Sequence, residues 1–221
     1  MNLSTALIVY SGHLRGACTN QKLLRHFADM CANVFDRCDA VLVTYERPFG
    51  RSTSGIEKPQ HRKTISTSAC LNLVRTQIRL SSVVVLREVS TLSRAKIYHQ
   101  MISNVLLGTT LANATLNKYA IVLRLRPDGG LGINALISLP TWKTLSTIRN
   151  DSVMQYGTWK LKSGVRVNGD NAFAARPQTF VRFVRAWKEM VIKMTDSQLP
   201  VHLEETMVNA SARAKCRLTT P

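Results

Sequence analysis

Acidic residues, aromatic residues and long apolar runs are all scarce in this chain, and each shortage excludes something. Asp and Glu number 13 against 30 Lys and Arg, so no acidic surface balances the basic one. Aromatic residues make up 6% and form no stacking pattern of the RNA-binding kind. No run approaches the roughly 18 apolar residues of a membrane span. The apolar stretch 6–10 is too short for a signal-peptide core and no basic region precedes it, so a cytoplasmic or membrane-peripheral protein is expected. The five cysteines contain no Cys-x-x-Cys pair. Zinc spacing is therefore missing, and reduced structural thiols are the expectation. Neither a dinucleotide fingerprint nor a P-loop occurs. There is no internal repeat, no low-complexity tract and no domain linker.

What remains is a 221-residue chain with 45% hydrophobic residues. That suits a single α/β domain over residues 1–221 and not a disordered basic tail. The formal charge of +17 attracts polyanions, and nucleic acid is the first partner to consider. The cations are spread along the chain, however, with only a modest cluster at His61-Arg62-Lys63. Charge alone fits anionic nucleotides or a phospholipid surface equally well. Sequons at Asn2, Asn113, Asn150 and Asn209 read as chance matches without a secretory signal.

Apolar runs at 6–10, 39–45 and 119–125 predict buried strands, and 83–86 a further strand. Residues 20–35 carry apolar side chains at helical spacing, so the first two strands and this segment have the length of a βαβ crossover. The Gly-, Pro- and Ser-rich stretch 47–68 predicts a long loop. Further helices are expected over 69–80, 90–116, 177–194 and 200–214. Residues 153–156 predict an edge strand, and 158–167 a hairpin-like excursion. The expected whole is an α/β, mainly parallel sheet with helices on both faces.

The richest stretch is 119–130, Tyr-Ala-Ile-Val-Leu-Arg-Leu-Arg-Pro-Asp-Gly-Gly. Side chains two apart on a strand share a face, so Arg124, Arg126 and Asp128 point one way. Pro127 cannot donate to a ladder, and the glycines free a turn. Two arginines closing a core strand need an anionic partner that one aspartate does not balance. Phosphate is such a partner, and strand carboxyl ends are where open α/β sheets bind ligands. The bland reading is a structural salt bridge. After the first strand, Ser11-Gly12-His13-Leu14-Arg15 offers backbone amides and a guanidinium at a neighbouring strand end. Tyr45 ends the second strand.

Ser-Gly-His-Leu-Arg, Arg-Leu-Arg-Pro-Asp, Gly169-Asp170-Asn171-Ala172-Phe173 and a final Glu-bearing helix occur in that order. Together they resemble the Arg-x-Arg-Pro-Asp group of glycosyltransferases, in which Arg-x-Arg-Pro-Asp stands where other GT-A enzymes carry Asp-x-Asp. The chain departs from the group at Gly129-Gly130 and at His202-Leu203-Glu204. The resemblance implies a single-domain, GT-A-like (Rossmann-like) fold and transfer of a sugar from a nucleotide-diphosphate donor to a glycan or other hydroxyl acceptor. It implies donor binding by Ser11, Gly12, Arg15, Tyr45, Arg124, Arg126 and Asp128. Asp128 would hold Mn2+ or Mg2+, since hard cations take carboxylate and phosphate oxygens. Asp170 is the first candidate for general base, with Glu204 or Glu205 as the second. In a Gly-Asp-Asn turn, Asp170 fits an Asx-turn or helix cap equally well. A nucleic-acid-binding or RNA-modifying α/β protein and a non-catalytic nucleotide-sugar binder remain alternatives.

Overall fold

A computed structural model describes residues 4–14, 25, 28, 29, 31–46, 66–87, 93–127, 142–160, 166–199 and 204–220. Its centre is a seven-stranded sheet. The strands are β1 (Thr5–Ser11), β2 (Arg37–Tyr45), β3 (Leu80–Leu86), β4 (Ile121–Leu125), β5 (Ser152–Lys160), β6 (Arg166–Ala175) and β7 (Arg217–Thr219). Their spatial order is β3-β2-β1-β4-β6-β5-β7. The pairs β3-β2, β2-β1, β1-β4 and β5-β7 are parallel, and β6 runs antiparallel to both β4 and β5. The sheet is thus mixed but mainly parallel. The four runs expected as neighbouring strands form its parallel half.

Strands β1 and β4 are buried along almost their whole length, which explains their continuous Val, Ile and Leu content. Alternation divides the sheet residues between two cores. Ala6, Ile8, Tyr10, Leu123 and Leu125 face α1 (Thr67–Gln77) and α3 (Trp142–Ser146). Leu7, Val9, Val122 and Phe173 face α2 (Arg94–Leu111), α4 (Pro177–Val191) and α5 (Glu204–Arg213). A 3-10 segment, Asn113–Lys118, joins α2 to β4.

Helix α4 begins on Pro177, whose fixed φ suits a first helical position. It buries Phe180, Phe183, Val184 and Trp187 against Phe173. Each such burial stabilises by roughly 1.5–3 kcal/mol. The ring pairs Phe173–Phe183 and Phe173–Trp187 meet edge to face, the arrangement aromatic quadrupoles favour. Helix α2 crosses β1 more closely. A Cβ at Gly108 would lie 2.4 Å from Val9 Cγ1, so only glycine allows this approach.

Three expectations change. Residues 153–156 belong to β5, which is flanked by β6 and β7 and is not an edge strand; the three-residue β7 covers it. The segment 169–175 is not a turn. It lies within β6, so the expected Gly-Asp-Asn turn around Asp170 does not form; the two paired stretches on either side, 166–168 with β5 and 172–175 with β4 and β5, carry the strand through an irregularity of the ladder there. The thiols are not all reduced. Cys31 and Cys38 form a disulfide with Cα atoms 5.4 Å apart, and Cys70 is also disulfide-bonded. Of the described cysteines only Cys216 is free, and it is buried. The expected loop at 47–65 and much of the expected helix at 20–35 lie outside the described residues.

Candidate functional site

Strand order places β1 between β2 and β4, so chain connections leave the carboxyl edge of β1 and β4 in different directions. Such switch points open a crevice at the strand ends. Here the two motif-bearing strand ends meet. Val9 pairs with Arg124 and Tyr10 with Leu125. Arg124 is 1% exposed; its Nε donates to Ser11 Oγ at 3.1 Å and its Nη2 to the Ser11 carbonyl at 3.5 Å. The guanidinium therefore reaches along the sheet to the end of β1.

Gly12 follows with φ +130°, a conformation that side chains strongly disfavour. Its N–H donates to the Val43 carbonyl at 3.1 Å, tying the β1 loop to β2. On its other side, a Cβ at Gly12 would lie 3.6 Å from Pro127 Cδ. The β1 loop and the Arg-Pro turn after β4 thus approach each other at Gly12 and Pro127, beside the Arg124–Ser11 bonds. Arg126, half-buried, directly follows β4.

Tyr45 closes β2. Its ring stacks on His13, with centroids 4.4 Å apart, and its hydroxyl accepts from Asn104 Nδ2 at 2.7 Å. Asn104 is buried on α2. One tyrosine therefore links the β1 loop, the end of β2 and the helix layer. No sequence motif singles out Asn104; its polar side chain at a buried helical position was the only available signal.

Across the sheet, Val9, Arg124, Phe173 and Gln155 stand in one row. Gln155 is 2% exposed, and its Nε2 lies 3.1 Å from Met207 Sδ on α5. The first turns of α5 therefore reach the level of Arg124. Glu204 and Glu205 open that helix, where carboxylates suit the positive end of the helix dipole. Because β6 is antiparallel to β4, the residues preceding its central pairs arrive at the carboxyl edge. Ala172 pairs with Leu125, so Asn171 and Asp170 extend past the end of β4. Topology thus brings Ser11, Gly12, Tyr45, Arg124, Arg126, Asp170 and the Glu204–Glu205 turn to one edge of the sheet. Arg15 and Asp128 lie outside the described residues.

Within the site Arg124 and Asn104 donate, and Ser11 and Tyr45 accept. Burial pushes the Tyr10 and Tyr156 hydroxyls well above the ordinary tyrosine range, so both stay protonated and neither is a base. Among the described residues, no group of three or more His, Cys, Asp or Glu converges as a metal centre. The chain matches no known family profile and no curated protein.

Proposed function

We propose that this protein is a GT-A-like glycosyltransferase that binds a nucleotide-diphosphate sugar at the carboxyl edge of β1 and β4 and passes the sugar to a hydroxyl acceptor. The observation that carries the reading is the contact between two distant sequence motifs. The Ser-Gly loop and the Arg-x-Arg-Pro turn are 113 residues apart at Ser11 and Arg124, yet are bonded to each other at a switch point. Sugar transfer leaves negative charge on the departing diphosphate, and guanidinium forks match phosphate oxygens. Arg126 is the direct donor ligand in this reading. Arg124, bonded to Ser11, holds the β1 loop against the Arg-Pro turn and adds positive potential from below. Tyr45 and His13 border the nucleoside.

Asp128 would contribute one carboxylate oxygen to Mn2+ or Mg2+, whose remaining ligands would come from diphosphate oxygens, a donor set that hard cations accept. The ion would supply charge neutralisation of the leaving group. Asp170 takes the acceptor proton; Glu204 or Glu205 replaces it if Asp170 is dispensable.

The test is a thermal-shift screen of nucleotide sugars with and without Mn2+, followed by turnover on glycan acceptors. A ligand that binds the native state raises the melting temperature. Arg126→Ala should lower affinity about tenfold or more, the scale of one charged hydrogen bond. Asp170→Asn should keep donor binding and lose turnover, since an amide accepts no proton. Donor binding without transfer to any acceptor supports a non-catalytic binder. A shift with RNA or DNA and none with nucleotide sugars refutes the donor site and favours the nucleic-acid reading.

A further inference from the structure

The oxidised cysteines and the sequons point in one direction. The Cys31–Cys38 bond joins the helical residues 31–33 to the second residue of β2, and Cys70 is held in a disulfide of its own. Thiols stay reduced where glutathione and thioredoxin act, and structural disulfides persist in oxidising compartments. The fifth cysteine is handled accordingly. Cys216 is buried beside α5, with Sγ 3.6 Å from the Ser211 carbonyl oxygen that accepts from it. Burial also raises its pKa, leaving little reactive thiolate. No exposed thiol remains among the described residues to cross-link or scramble the pairs.

We propose that this chain matures in an oxidising lumen that also attaches N-linked glycans, and that it carries one at Asn150. Asn150-Asp151-Ser152 is a full sequon. Asn150 is exposed in a turn immediately before β5. Strand β5 runs in the same direction as β4, so this turn lies at the amino edge of the sheet, opposite the Ser11–Arg124 site. A glycan there leaves that edge uncovered. The turn is held by backbone and hydroxyl groups and leaves the Asn150 amide uninvolved. Thr179 Oγ1 donates to the Asn150 carbonyl, and Ser152 Oγ accepts from Arg149 N at 3.0 Å. Asn209 is also exposed, but on α5, and the proposal does not depend on it.

The chemistry balances with reactants such a compartment supplies. Two thiols become one disulfide as two protons and two electrons pass to a disulfide oxidant. At Asn150, Nδ2 forms a bond to the anomeric carbon of a polyprenyl-diphosphate-linked oligosaccharide. The sugar–phosphate bond breaks, the lipid diphosphate leaves, and one amide proton goes to the transferring enzyme's base. The disulfides and the glycan are independent of the sugar-transfer reading, so either proposal can fail alone.

The experiment is peptide mapping of the full-length protein, alkylated before lysis of its source cells. The expected result is a glycan on the Asn150 peptide, removed by amidase with conversion to Asp. Asn150→Gln, re-expressed in the same cells, should lose that glycan; Ser152→Ala is avoided because its hydroxyl holds the turn. Under denaturing, non-reducing conditions Cys216 alone of the described cysteines should take the alkylating label. An unmodified Asn150 peptide overturns the proposal, and so does labelling of Cys31 and Cys38 without reduction.

Discussion

Arg124 and Arg176 sit at opposite edges of the same sheet and are bonded in different ways. At the amino edge, half-buried Arg176 donates from Nε to the Ile148 carbonyl and from Nη1 to the Ala120 carbonyl, both at 3.1 Å. Nearby charges there are closed locally. Asp36 accepts from the Ser4 amide and hydroxyl at 2.7 and 2.8 Å, and Asp39 accepts from Tyr119 Oη at 2.6 Å and Lys118 Nζ at 3.2 Å. Such bonds clamp the starts of β1, β2 and β4. At the carboxyl edge, buried Arg124 donates from Nε and Nη2 to the hydroxyl and carbonyl of Ser11. Desolvating a guanidinium is costly, and the group it holds is the fully buried last residue of β1. The amino-edge bonds tie strand starts together, while at the carboxyl edge a buried guanidinium ties the ends of β1 and β4. A cleft at the amino edge is lined by two carboxylates, Asp36 and Asp39, and two guanidiniums, Arg37 and Arg79.

Truncating each arginine tests the contrast most severely. Arg124→Ala should cost about 3–5 kcal/mol, because it removes a large buried side chain and its bonds together, and should abolish nucleotide-diphosphate binding. Arg176→Ala should cost about 1–3 kcal/mol, the scale of its lost hydrogen bonds, and leave that affinity unchanged. Urea denaturation and calorimetry read both quantities, and equal effects on binding would erase the distinction between the edges.

The next largest effect concerns the amino edge alone. Replacing Cys31 and Cys38 together by Ser should lower stability by about 2–3 kcal/mol, the loop-closure entropy expected for a short cross-linked segment. Donor affinity, measured well below the new melting temperature, should not move. A loss of affinity would show that the two edges are coupled through β2.

Gly12→Ala sharpens the comparison from the other side. The space beside Gly12 is ordinary van der Waals distance, so the penalty comes from its φ of +130° and should be about 1–3 kcal/mol. Shifting the Gly12 N–H from Val43 should also weaken donor binding, whereas Tyr45→Phe should mainly cost the Asn104 bond.

The smallest expected effect is the response to acid. Hydrogen bonds from the Ser4 amide and hydroxyl hold the Asp36 carboxyl below its ordinary range. At Asp39 partial burial acts upward, but the bonds from Tyr119 and Lys118 and the charges of Lys118 and Arg37 outweigh it, and its pKa is lowered too. Groups with depressed folded pKa values contribute stability above the unfolded value, which is lost as pH falls through the folded one. The amino edge should therefore weaken only below about pH 4, where carboxylates ordinarily titrate. Asp39→Asn should flatten that limb of the stability–pH curve while costing under about 1 kcal/mol near neutrality, as for exposed pairs.

Much of this was legible in the residues, and the misses have physical causes. The Val-, Ile- and Leu-rich runs identified β1, β2 and β4 because strands buried on both faces must be continuously apolar; β3 was legible from its Val run although it is a partly exposed edge strand. Helix α4 was legible from the spacing of Phe180, Val184, Trp187 and Val191. The strand character of 169–175 was not, because Gly, Asp and Asn carry turn preferences, and here they sit at an irregularity between the paired stretches 166–168 and 172–175. Strand β7 is three residues long, too short for any period to declare itself. The disulfides were missed because residues 31 and 38 resemble no metal or redox spacing, and only the fold shows their Cα atoms to be 5.4 Å apart.

The sequence by itself determined the α/β class, the parallel half of the sheet and the polar strand ends at Ser11, Tyr45 and Arg124. These depend on local alternation and burial, which a strand carries within a few residues. Only the tertiary structure decided that Arg124 bonds Ser11, that Pro127 approaches Gly12, that Asn104 anchors Tyr45, and that β6 runs antiparallel beside β4. Each joins segments far apart in the chain, and strand order and direction arise from packing between layers that no single segment encodes.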